Sequence, residues 1–114
     1  MGRVDERMAE LVLRAVEQVP AGRVVSYGDL ADLVGTSPRH VGAIMRVHGA
    51  GVTWWRVTSH AGDLPRHLHD EVRVRWAEEG IAWKPNGLGC RYADHRCDLA
   101  ALASDWERAT ADLR

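Results

Sequence analysis

Three sets of side chains in this sequence have the types and spacing to do chemistry. The first is Tyr27, Ser37, Arg39 and Arg46, spread over two short apolar-patterned segments. The second is the indole pair Trp54–Trp55, followed by Arg56 and then Arg66, His67 and His69. The third is Cys90, His95 and Cys97. A guanidinium is planar, stacks on bases and bonds phosphates in a fork. A serine at a helix N-terminus stands beside free backbone N–H groups that suit an anion. An indole face can stack on a nucleobase, worth about 1–3 kcal/mol. A thiolate is a nucleophile or a metal ligand. Cys90, His95 and Cys97 would need a distant fourth ligand, His67 or His69, and their spacing matches no standard zinc pattern. No metal and no cofactor is expected. Each residue also has a plainer reading. Tyr27 alone is a half-buried packing residue, Arg39 a solvated helix residue, and both Trp54 and Trp55 core. His60, His67 and His69 are then surface histidines.

The elements that must position these groups are mostly helical. Met8, Leu11, Val12, Ala15, Val16 and Val19 recur at helical spacing over residues 5–19, with Asp5 as N-cap and Pro20 and Gly22 as the stop. Val24 and Val25 are extended, and Ser26 can cap the next helix, 27–34, with Asp29 three residues on. Leu30, Ala31, Leu33 and Val34 should face inward. Gly35 ends that helix, and Thr36 or Ser37 with Pro38 opens a third, 38–48. Two short helices joined by a few residues with a glycine form a helix-turn-helix. Residues 52–57 read as a strand, in which Trp54 and Trp55 would alternate faces. A helix over 68–79 should bury Leu68, Val72, Val74 and Trp76. Residues 81–83 read as a small strand or packing segment, 85–89 as a loop, and 98–113 as a last helix burying Leu99, Leu102, Ala103 and Trp106.

The composition bounds the answer further. A chain of 114 residues and 12.7 kDa fits one domain, because two of about 57 residues would each be marginal. No apolar run approaches the roughly 20 residues of a membrane span, and residues 2–7 are too charged for a signal-peptide core. Two cysteines make no disulfide framework, so a cytoplasmic protein with reduced thiols is expected. The net charge of -1 excludes a binder that works by bulk positive charge. The charge is uneven, however. Residues 36–75 carry six Arg against Asp63, Asp70 and Glu71, for +3, while 1–35 and 98–114 are each -2. The positive stretch contains the second helix of the helix-turn-helix and the Trp pair, which suits a polyanion there.

The segments Pro20-Ala21-Gly22-Arg23-Val24, Ser26-Tyr27-Gly28-Asp29-Leu30-Ala31, Ser37-Pro38-Arg39-His40-Val41-Gly42, Trp54-Trp55-Arg56-Val57 and Glu79-Gly80 come in one order. In that order they resemble the DNA-binding domain of O6-alkylguanine-DNA alkyltransferases, and more narrowly the alkyltransferase-like proteins, over residues 5–83. The resemblance implies a mostly α, single small domain with a winged helix-turn-helix-like core over 1–83. Residues 84–114 would be a C-terminal extension packed on it, ending in an extra helix. It implies that Tyr27 helps turn the target phosphate and that Arg39 enters the base stack. Ser37 and Arg46 would contact DNA, and Arg56 would be structural. The family's active members carry Pro-Cys-His-Arg-Val where this chain has Thr53-Trp54-Trp55-Arg56-Val57. Trp54 replaces the nucleophile, and Trp55 replaces the histidine that activates it. Alkyl transfer should therefore be absent. Alkyltransferase-like proteins keep the preceding Pro and a polar next residue, so Thr53 and Trp55 are departures. Trp54, Trp55, Arg66 and His67 are the expected lesion pocket, with either Arg66 or His67 reaching the modified base. Glu79 matches a supporting glutamate left without a histidine to orient.

The implied function is a non-enzymatic sensor that binds O6-alkylguanine in duplex DNA. It would flip the nucleotide through the minor groove and signal, as a monomer, to nucleotide excision repair proteins. Two other readings stand beside it. One is a helix-turn-helix transcription regulator without lesion specificity, which would usually dimerise on half-sites. The other is an enzyme with Cys90 or Cys97 as a displaced nucleophile, although neither has the family's flanking residues.

Overall fold

The computed structural model describes residues 6–113. Helix α1 runs Glu6–Glu17, and the expected Asp5 cap lies outside the described residues. Its apolar stripe buries Ala9, Val12, Ala15 and Val16. The chain tightens through Gln18 and Val19, whose N–H groups bond Ala15 and Val16 carbonyls, and then turns at Pro20. A two-residue strand, β1 (Val25–Ser26), leads into α2 (Tyr27–Val34). Ser26 caps α2 by accepting from Asp29 N at 3.0 Å. The capping box is not reciprocal, because the Asp29 carboxylate instead accepts from Tyr92 Oη and Arg96. Gly35 closes α2 in the left-handed region, φ +90°, where its N–H reaches the Ala31 carbonyl. Only glycine takes that φ at little cost, and the turn aims the chain at α3 (Pro38–His48). Ser37 caps α3 and Pro38 occupies its first turn.

Helices α1, α2, α3 and α6 (Leu99–Ala109) enclose the larger core. The β component beside this helical unit is slight. Strand β2 (Val57–Thr58) pairs in parallel with β1, Val25 opposite Val57 and Ser26 opposite Thr58. Isolated bridges link Val24 to Arg96, Asp63 to Gly89 and Trp83 to Cys90. A second, smaller core lies under helix α4 (His69–Glu79) and is built on Val72, Trp76, Ile81 and Cys90. Among the described residues no helix is long and apolar enough to cross a membrane.

Four local expectations change. Residues 52–57 are not a strand up to Val57. Trp54–Arg56 is a 3-10 turn, with Trp54 N bonded to Val52 O and Arg56 N to Thr53 O. Tertiary bonds to the side chains of that turn override its β propensity. Val74 is 60% exposed rather than buried, because it sits two residues from both Val72 and Trp76 and so faces away from them. The last helix ends at Ala109, where Thr110 Oγ1 donates to Trp106 O, and Ala111–Leu113 continues as a 3-10 turn. A short helix α5 (Tyr92–His95) arises without periodic signal.

The C-terminal segment is a working part of both cores. Cys97 N bonds Val24 O and Val24 N bonds His95 O, so residues 95–97 lie along β1's approach. Trp106 inserts between α1 and its own helix and donates Nε1 to Leu11 O at 2.9 Å. Arg14 reaches back to Ala109 O and Asp112. Trp106→Ala is expected to cost about 3–5 kcal/mol, the range for emptying a large aromatic site. Thermal or urea unfolding will measure it, and a loss under about 1 kcal/mol would show that the extension is dispensable.

Candidate nucleic-acid interface and base cleft

The site begins with one carboxylate. Glu79 closes α4, and its Oε1 accepts from Gly22 N at 2.9 Å and from Arg56 Nε at 3.0 Å. Its Oε2 accepts from Trp55 Nε1 at 2.9 Å and from Arg56 Nη2 at 2.7 Å. Arg56 Nη1 continues to Val19 O at 2.9 Å. The pair is well covered, with the Arg56 and Glu79 side chains 15% and 11% exposed. Burial pushes the Glu79 carboxyl upward, but the bonds from Arg56, Gly22 and Trp55 outweigh it and hold it below the usual value. Gly22 is needed at its turn, since its φ is +83° and an added Cβ would press on Glu79 O at 3.2 Å. One side chain thus ties the end of α1, the turn before β1, the Trp54–Arg56 turn and the end of α4. The Trp55 indole is one of the donors that fill the Oε2 side of Glu79.

Trp55 is therefore a positioning residue and not a cleft wall. Its carbonyl accepts from Trp76 Nε1 at 2.8 Å, and the Arg75 guanidinium lies 4.6 Å from its ring centre. Its ring meets Trp54 edge-to-face, at 5.8 Å and 84°. This arrangement turns Trp54 out into an open cleft of about 570 Å³. Tyr27 from α2 and Gly42, Met45 and Arg46 from α3 form one side. Gly49 and Ala50 follow α3, and Leu64, Pro65, His67, Leu68 and Glu71 complete the rim. Burial holds the Tyr27 phenol pKa above its ordinary value, so it is a neutral hydrogen-bond donor at pH 7.

The structure brings Tyr27, Arg46, Trp54 and His67 together around this cleft. It does not bring Trp55 or Arg66 there. Arg66 begins the 3-10 turn Arg66–Leu68 and is exposed. Ser37 and Arg39 also lie off the cleft, at the start of α3. Ser37 Oγ is engaged as an acceptor for His40 N, and the His40 ring nitrogen Nδ1 pairs with Thr36 Oγ1 at 2.8 Å. Arg39 is exposed, and Arg46 lies two turns further along the same helix face. Gly42 and Ala43 stand between them, and a Cβ at Gly42 would meet nothing within 4 Å. The ridge between the two guanidinium groups is therefore low.

Several cleft residues carry no isolated sequence signal. Gly42, Met45 and Gly49 follow helical spacing with Arg46, itself a sequence candidate, so α3 periodicity alone could have grouped them. Leu64, Pro65 and Glu71 are brought in by the loop before α4, which no short-range pattern marks. The third set of sequence candidates lies elsewhere. Cys90 and Cys97 are buried, and neither lines the cleft. Burial pushes the Cys90 thiol up to about 11 and also raises Cys97. His95 Nε2 accepts from Ala82 N at 3.1 Å. Among the described residues no group of three His, Cys, Asp or Glu could hold a metal.

Glu79→Gln is expected to lower stability by about 2–4 kcal/mol, because it leaves the covered Arg56 guanidinium without its charge partner. Glu79 has a depressed folded pKa, so its contribution is complete above the ordinary glutamate value of about 4.3. It is lost as pH falls through the lower folded value. Unfolding from pH 7 to pH 3 will show this slope in the native chain and a flatter profile in the variant.

No curated protein matches the chain. A solved structure with a similar fold is that of S. pombe Atl1 in complex with damaged DNA containing O6-carboxymethylguanine. It has 23% identity and a TM-score of 0.71, over 82% of this chain and 97% of that one. The family model of the 6-O-methylguanine DNA methyltransferase DNA-binding domain matches residues 7–81. Those residues span α1 through the segment after Glu79, which includes the helix-turn-helix, the Trp pair and the whole cleft. The chain belongs to the 6-O-methylguanine DNA methyltransferase DNA-binding-domain family.

Proposed function

We propose that this protein is a non-enzymatic sensor of O6-alkylguanine in duplex DNA. In this reading α2 and α3 enter the minor groove, Arg39 fills the space left in the base stack, and Tyr27 helps turn the target phosphate. The extruded nucleotide enters the cleft and packs on Trp54. The complex is then passed to nucleotide excision repair proteins, with the protein acting as a monomer in the cytoplasm. Atl1 in its solved complex holds DNA containing O6-carboxymethylguanine, and the shared fold supports lesion binding as the use of this cleft.

The observation that carries the reading is Trp54. It stands where the active family members have their cysteine, and it lines an open cleft beside Tyr27. An indole cannot form the thiolate that attacks carbon. Glu79 is committed to Trp55 and Arg56, so no imidazole is present there to take a proton. Cys90 and Cys97, buried and raised in pKa, are protonated at neutral pH. The cleft volume of about 570 Å³ falls in the range of small-molecule sites, about 300–1,000 Å³, enough for a purine with its alkyl group. Extrusion costs a few kcal/mol and least for a weakly paired base, so a lesion that weakens pairing assists its own detection.

The direct test measures binding to duplexes that differ only in guanine or O6-methylguanine at one position. Tighter binding to the lesion is expected. Equal affinity would sink the sensor reading, and selection of a palindromic sequence would point to a transcription regulator. Arg39→Ala should weaken lesion binding about tenfold or more, that is 1.4 kcal/mol or more, with an unchanged melting temperature. Trp54→Ala should abolish lesion preference and keep nonspecific binding, provided that its melting curve shows a folded protein. Trp54→Cys should take up no label from alkylated DNA; detectable transfer would contradict the argument from the missing histidine.

A further inference from the structure

Helix α4 grips Trp55 from three positions. Glu79 Oε2 accepts from its indole nitrogen at 2.9 Å. Trp76 Nε1 donates to its carbonyl at 2.8 Å. The Arg75 guanidinium lies 4.6 Å from its ring centre. Arg75 and Glu79 stand four residues apart and so share one face of α4. Glu79 also serves Gly22 and Arg56, whereas Arg75 has chiefly the ring. Its nearest carboxylate oxygen, Glu71 Oε2, is 4.0 Å from Nη2, too far for a hydrogen bond. The two grips on the ring oppose different motions. A hydrogen bond at Nε1 fixes one edge of the indole and leaves rotation about that edge open. A cation on the face, attracted to the ring, resists that rotation. What rests against Trp55 is Trp54, edge-to-face at 5.8 Å and 84°.

Resting on the sensor reading, we infer that Arg75 is a positioning residue for lesion recognition: stacked on Trp55, it holds the Trp54 wall in the orientation that receives the extruded base. Arg75 does not itself line the cleft, and Trp54 does. The Trp54 indole nitrogen has no hydrogen-bond partner among the described residues, so its ring depends on the Trp55 ring for its setting. A wall ordered before the base arrives spares the cost of ordering it on binding. Only an extruded nucleotide uses that wall, so Arg75 acts on lesion preference rather than on general affinity for DNA. Arg73 supplies an internal comparison. It lies on the same helix with the same charge, but its guanidinium sits 4.8 Å from the centre of a different ring, Trp83, which is not part of the cleft.

The test uses the full chain and two duplexes identical except for guanine or O6-methylguanine at one position. Dissociation constants are measured for the native protein, Arg75→Gln, Arg75→Lys and Arg73→Gln, each well below its melting temperature. The readout is the ratio of methyl to guanine affinity. Arg75→Gln should lower that ratio about two- to fivefold, the worth of an exposed cation–π contact. Arg75→Lys keeps a cation for the ring and should fall between Arg75→Gln and the native protein. Arg73→Gln should leave the ratio at its native value, any loss of affinity falling equally on both duplexes. An unchanged ratio in Arg75→Gln would overturn the inference, because an equal loss on both duplexes is what a phosphate contact gives. So would a lysine variant no better than the glutamine one, or an equal drop in ratio from Arg73→Gln. The sensor reading fails separately, through a native ratio of one, and the inference falls with it. Arg75 is 44% exposed, and melting curves check that each variant keeps the fold.

Discussion

The Glu79 carboxylate is the interaction on which the rest of the structure depends. It gathers hydrogen bonds from Gly22 and from the adjacent Trp55 and Arg56, more than thirty residues further along the chain. The donors come from the turn after α1 and from the Trp turn, and Arg56 extends the set to the Val19 carbonyl just past α1. A covered ion pair is weak evidence for net stability, because desolvation offsets much of its attraction. What it supplies here is register. With four donor atoms converging on two oxygens, the Trp54–Arg56 turn has one place to sit relative to α4.

That register decides what the two adjacent indoles do. Trp55 is held by its ring nitrogen, by the Trp76 bond to its carbonyl and by Arg75 over its face. Trp54 has no such anchor among the described bonds and meets Trp55 edge-on. One tryptophan is thus spent on positioning, and the other is presented to the cleft. The scaffold around them, with Glu79 and Arg56 in place, suits a binding surface as well as a reactive one.

The extension beyond the family match has a comparable structural role. Tyr92 and Arg96 bond Asp29 in the first turn of α2, two residues from Tyr27. Residues 95–97 pair with Val24 just before β1. The element that carries Tyr27 is therefore braced from a segment that follows it by more than sixty residues in sequence. Trp106 and Leu102 add the apolar cover that α1 needs on its far side. A small domain buries a modest fraction of its surface, and the extra helix enlarges that fraction.

Local physics determined the helices and their caps. The apolar stripe of α1, the Ser26 and Ser37 caps, Pro38 and Gly35 are short-range features, and each element they specify is where the sequence places it. The ordered motifs, through the family they resemble, singled out Tyr27 and Trp54, which line the cleft, and Glu79, which holds the Trp turn. The tertiary structure alone decided the rest. Whether residues 52–57 extend or coil depended on bonds from Glu79 and Trp76, which lie about twenty residues downstream and leave no trace in the local pattern. Which indole faces the cleft, why His67 lines it while Arg66 does not, and how Glu71 joins the rim follow from that packing. Periodicity reports which face of an element is apolar. It does not report which polar groups two distant elements will bring to one edge.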